Sequence, residues 1–434
     1  MTRLYSKKLL KRMNTLKSNF LILSLTFLSS LVYGQKQLVY QDQVYESTIK
    51  TVQLYPNGPS IQSVLSPPIK DIDDGKELFL EFDDLREDAD YYFVYFIHCN
   101  ADWTPSDLRA PMYMTGYNEF EIENFEFSSE SKINYVHYTY QLPKFKETGN
   151  YLAVVYRDRK KKDIILSKRF SLYKNQVAVG GNISRSSDVP KRLSNQRVEV
   201  TMNYGGLTSI NPSEDFTIVV RQNQRPDVTK TGLYPTFIDD NAKLIRYQNL
   251  GAENDFSGWN EFRFFDISTV NASGRNIAQI GFKDNKPEAK VMTDKVRDPA
   301  YFQILDVNGQ YYIRDLEAGR SGRLTSEYVD VTLTLDYPET EEDIHVVGEF
   351  NQWIKDKSSL MNYDPINQVY YSNQLLKQGW YNYVYSVSSN DPYRIEQSFF
   401  DTENLYEILV YFKPLGARGD QLVGYARINY NARR

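Results

Sequence analysis

From residue 35 onward the chain is a succession of short β-like runs separated by turn residues, and no long stretch sustains a 3.6-residue apolar period. A chain patterned this way has to bury its apolar residues in sheets. Leu78 to Phe82 alternates, and Tyr91 to Cys99 (YYFVYFIHC) is the unbroken apolar run expected of a strand buried on both faces. Val136, Tyr138, Tyr140 and Leu142 share one face of a run whose other face carries His137, Thr139 and Gln141. Composition agrees: 35 Tyr and 23 Phe against seven Met suit pleated, half-buried surfaces better than helices. The predicted class is all-β.

The strand-like runs fall into three groups, giving tandem β-sandwich domains at 35–174, 175–322 and 323–434. In the first group, Tyr151–Tyr156 and Ile164–Tyr173 read as a hairpin. Its tip, Arg157 to Asp163, is strongly charged; charge keeps a turn soluble, so a solvated tip is expected rather than a basic contact patch. In the second group, the Asn308-Gly309 pair predicts a hairpin between Tyr301–Leu305 and Tyr311–Arg314. Glu317 to Thr325 reads as a linker. The third group opens with Val329, Val331, Leu333 and Leu335 in phase and has the strand spacing of an immunoglobulin-like sandwich.

Residues 1–34 carry six basic residues and no acid, followed by a 14-residue apolar run, Phe20 to Tyr33. Val32 and Gly34 precede a plausible cut before Gln35, the pattern of a secretory signal peptide. The run is too short for a spanning helix, which needs about 20 residues, and no later segment is long and apolar enough to span as one. Without the leader the balance is 45 basic to 56 acidic residues, a net charge of −11, where the whole chain shows −5. That balance argues against nucleic acid or an anionic membrane surface as partner.

Catalytic patterns are scarce. His98, His137 and His345 lie in different runs without ligand spacing, and the single cysteine, Cys99, excludes an internal disulfide framework. His98 and Cys99 are neighbours in a strand, so their side chains point to opposite faces and no nucleophilic pair forms. Asp71, Asp73, Asp74 and Glu77 surround Gly75, but the glycine is one place too early for an EF-hand loop, and an acidic turn is expected. Asp83, Asp84, Glu87, Asp88 and Asp90 read as solvated loop acids rather than a glycosidase pair. Trp103 is expected to plug one end of the first sandwich. Arg418-Gly419-Asp420 is too short a match to carry meaning. No cofactor or metal site is expected, and the protein reads as a non-enzyme.

Two resemblances follow from longer motifs. Val346 to Trp353 (VVGEFNQW) and Leu376 to Tyr383 (LKQGWYNY) resemble early-set (E-set) immunoglobulin-like domains, including glycogen-binding modules. That resemblance implies Trp353 and Trp380 as sugar-stacking residues of a secreted carbohydrate-binding protein. The second spans nearly the whole mature chain: IKTVQLYP at 49–56, LFLEFDDL at 78–85, YYFVYFIHCNADW at 91–103, YVHYTYQL at 135–142, GNYLAVVYR at 149–157 and the late FNQW. In that order they resemble the type IX secretion system plug family of Bacteroidota. This implies an all-β periplasmic protein, at the inner face of the outer membrane. It would dock on the SprA-type translocon barrel and close its periplasmic end when no cargo is bound.

Overall fold

The computed structural model describes residues 36–129, 131–249, 251–318, 322–388 and 392–432. The signal-peptide reading therefore lies outside the described residues. Strands dominate, and the sheets pair into three sandwiches, each around its own apolar core.

In the first sandwich one sheet runs Gln43–Val44, Ile164–Tyr173, Gly149–Arg157, Tyr92–Cys99, Phe120–Glu121, with Ile69–Asp71 joining Ile164–Tyr173 in parallel. The facing sheet runs Ile49–Pro56, Leu78–Asp84, Val136–Gln141, Phe125–Phe127. The alternation sets this arrangement. Leu80, Phe82, Val136 and Tyr138 point inward and are fully buried against Val94, Phe96 and Val155. The predicted hairpin of the first group forms, with Ile164 opposite Tyr156 and Leu172 opposite Gly149.

The second sandwich packs Ala178–Arg185, Asn195–Asn203, Leu244–Tyr247 and Phe237–Asp239 against Thr229–Lys230, Phe216–Gln222, Asn404–Phe412 and Gln421–Tyr430. The last two strands come from the end of the chain. Phe216–Gln222 pairs along its whole length with Asn404–Phe412, and Ile408 and Val410 join Val198, Val200 and Ile218 in one core. The third sandwich, from Arg263 to Ile395, is thus inserted between the two parts of the second. Its sheets run Arg263–Asp266, Gly379–Val387, Tyr311–Ile313 and Ile277–Lys283, Lys286–Val291, Tyr328–Asp336, Val369–Lys377, Asn362–Asp364, with Ile344–Val347 also on Gly379–Val387. The sheets therefore divide the chain differently from the sequential blocks 175–322 and 323–434.

The hairpin expected around Asn308-Gly309 does not form. Both residues take left-handed backbone, φ 52° and 83°, as such a turn requires. Residues 301–305, however, join no strand, and Tyr311–Ile313 pairs with Gly379–Val387. The turn is instead held from outside. Asn382 Oδ1 accepts the Val307 and Gly309 N–H groups, and a Cβ at Gly309 would stand 2.7 Å from the Trp353 ring.

Candidate functional site: the buried junction of the sandwiches

The side chains with the most unusual environments lie between sandwiches. In Leu78–Asp84 and Val136–Gln141 the polar positions Glu81, Asp83 and His137 point away from the first core, where solvent would be expected. All three are buried, because the third sandwich covers that face. Asp83 Oδ1 lies 2.6 Å from His137 Nδ1, and its Oδ2 accepts from Lys377 Nζ and the Tyr328 hydroxyl, both at 2.7 Å. Lys377 also donates to the Arg323 carbonyl at 2.6 Å and lies 4.0 Å from the Tyr135 ring centre. Arg323 pairs with Glu81 at 2.7 Å.

Burial alone would raise the Asp83 carboxyl, but the Lys377 ammonium and His137 hold it below the usual range. Burial lowers Lys377 even with Asp83 beside it. It also disfavours the His137 imidazolium, yet hydrogen bonds to Asp83 and Glu81 outweigh that and raise its pKa. The expectation that Asp83 and Asp84 are solvated loop acids is thereby corrected. Both are strand residues with no exposed surface, and Asp84 is bound by Arg86 and the Tyr92 hydroxyl. The missed signal was Lys377: a lysine at a strand end reads as a solvent group until its partner strand is known.

A second contact uses the VVGEFNQW segment. Lys168, in Ile164–Tyr173, is almost wholly buried and bridges Asp42 at 2.7 Å and Glu349 at 2.9 Å. Glu349 Oε2 also accepts the Trp353 indole N–H at 3.2 Å. Trp353 in turn holds the third contact. Arg225, from the second sandwich, lies 4.2 Å from the Trp353 ring centre and 4.9 Å from that of Trp259, and is tied to Asp227 at 2.8 Å. The first and second sandwiches meet through Tyr411, which donates to Asn150 Oδ1 at 2.8 Å, and through Asp420, which accepts the Ala101 N–H at 2.7 Å. A cavity of about 350 Å³ remains where the three sandwiches meet, lined by Trp103, Lys168, Arg221, Gln224 and Trp353 among others.

Trp353 and Trp380 are only 3% and 8% exposed. Trp380 is stacked on Phe264 at 4.4 Å, with Tyr312 parallel to it at 6.5 Å. Both rings are therefore occupied by protein groups. Trp103 is half-buried at the cavity, under the Arg169 guanidinium, and faces the junction rather than closing a sandwich end. His98 bonds Ser106 and the Thr148 carbonyl, and its pKa is lowered by burial. Cys99 is buried, which pushes its thiol up to about 12. His345 bonds Ser359 at 3.0 Å within the third sandwich. The Asp71–Glu77 segment is a turn closed by Asp71 and Asp74 on backbone N–H groups. Among the described residues no group of three or more His, Cys, Asp or Glu is placed to hold a metal ion.

Such a molecule is a multi-sandwich β protein whose distinctive chemistry lies in holding its parts together. Residues 49–174, the first sandwich, match the family model described as the Type 9 secretion system plug protein 1st domain, a match that supports a place in the type IX secretion plug family. A hypothetical protein from Parabacteroides merdae, known as a crystal structure, is 28% identical and superposes with a TM-score of 0.84 over 90% of this chain and 100% of its own. The three-sandwich arrangement is thus shared over nearly the whole described length. No curated protein matches.

Proposed function

We propose that this chain is a non-enzymatic periplasmic plug of the type IX secretion system. In this reading it docks on the SprA-type outer-membrane translocon and closes the periplasmic end of the barrel when no cargo is bound. The match of residues 49–174 to the plug first domain carries the proposal. The junction supports it on physical grounds. A wide pore is blocked by a folded body too large and too stiff to pass. Three sandwiches tied by buried ion pairs and an arginine between two tryptophans resist the shear that separate domains on linkers would not.

The test is affinity capture of the native protein from detergent-solubilised outer membranes of its own host. The expected result is co-purification of the translocon barrel. A strain lacking the protein should become permeable to bulky antibiotics that the outer membrane normally excludes. An intact barrier in that strain, together with captures that contain no barrel, would sink the reading.

A further inference from the structure

We propose that the charged hairpin tip at 157–163, with the tyrosines around it, is the surface by which this protein docks on an acidic rim of the barrel. This rests on the sealing role proposed above. Position is the first argument. The strands Gly149–Arg157 and Ile164–Tyr173 meet the second sandwich at one end, where Tyr411 donates to Asn150 Oδ1 and the Lys174 N–H donates to the Leu422 carbonyl. The tip begins at the other end of a nine-residue strand, about 23 Å from Asn150 at ~3.3 Å per residue. The ion pairs to the third sandwich use Glu81, Asp83 and Lys168, so the tip is outside both junctions.

Charge is the second. On a mature chain of net −11, residues 157–163 hold five basic residues and two acids. Three acids in or beside the tip are already engaged. Asp163 is bound by Lys36 and Arg157, Glu119 by Lys161 at 3.2 Å, and Asp158 by Lys160 at 3.7 Å. Arg159 and Lys162 are exposed and have no carboxylate within ion-pair distance among the described residues. A basic face on an acidic protein complements a carboxylate-rich partner and is poorly suited to a second copy of the same chain.

Preorganisation is the third. The Arg159 guanidinium sits 5.1 Å from the Phe93 ring centre, and Lys161 Nζ lies 5.3 Å and 5.8 Å from Tyr95 and Tyr117. Cations held on aromatic faces lose less freedom on binding than free side chains. Tyr91 and Tyr117 are 70% and 75% exposed, an unusual state for large aromatic rings on a monomer and a common one at interfaces. Asp158 and Arg159 also both take left-handed backbone, φ 52° and 55°. Asn-Gly would fill those positions with less strain, so an arginine there is held for what its side chain does.

The test compares barrel capture by the wild type with capture by a variant carrying Arg159→Glu, Lys160→Glu, Lys161→Glu and Lys162→Glu. A control carries Lys283→Glu and Lys286→Glu on an exposed tip of the third sandwich. The tip variant should lose at least ten-fold of the captured barrel at unchanged melting temperature, and the control should lose little. Arg159→Asn, which relaxes the backbone, should melt no lower than wild type and still capture less barrel. Equal capture by wild type and both tip variants would overturn the docking surface and leave the sealing role standing. No capture by the wild type would overturn the sealing role first, and this surface with it. Tip-dependent binding of the wild type to phosphatidylglycerol vesicles, or a tip-dependent dimer, without loss of barrel capture would overturn it as well.

Discussion

Lys377 shows how much of this protein is decided by single buried charges. Its ammonium has no exposed surface to speak of and depends on Asp83, the Arg323 carbonyl and the Tyr135 ring. Lys377→Met should destabilise the protein by about 3–5 kcal/mol in urea unfolding, because Asp83 is left buried without its cation. Adding Asp83→Asn should recover part of that loss. Asp306 acts in the opposite sense. Burial, with Glu261 and Glu403 nearby, pushes its carboxyl up to about 7, although the Asn308 and Phe262 N–H groups bond it at 2.8 and 2.5 Å. An acid with a raised folded pKa binds its proton more tightly when folded. Its contribution is complete below the ordinary value near 3.8 and is lost as pH rises through about 7. Melting temperature should therefore carry a downward component between about pH 4 and pH 7 that Asp306→Asn removes.

The strands themselves were largely legible, since alternation is a local property. Val329, Val331, Leu333 and Leu335 are read in phase and are all fully buried in Tyr328–Asp336. Pairing is not local. Asn404–Phe412 and Gln421–Tyr430 read as the end of the third block, yet they complete the second sandwich, where Arg221 stands opposite Glu407 and pairs with it at 2.8 Å. Nothing in either strand's own pattern distinguishes those partners. A chain ending at residue 395 should therefore lose amide protection throughout 178–257 in hydrogen exchange, while 49–174 keeps it. Protection retained in both would show that the last hairpin is dispensable. The 301–308 segment failed for a related reason. Its turn residues are right for a hairpin, but Asn382 and Trp353 claim the turn from another strand.

At the scale of the molecule one motif of the third sandwich reaches both of the others. Glu349 reaches the first sandwich through Lys168, and Trp353 reaches the second through Arg225. Scanning calorimetry should show one cooperative transition for the intact protein. Trp353→Ala, expected to cost about 3–5 kcal/mol as a buried large-to-small change, should split it into separate meltings. The pattern by itself determined the all-β class, the strands and the outline of the first sandwich, since each follows from which residues alternate along a few consecutive positions. Only the tertiary structure decided which polar faces meet water and which meet another sandwich. An outward-pointing Asp83, His137 or Lys168 looks the same along the chain in either case, and the free energy that separates the two comes from a charge elsewhere in the sequence.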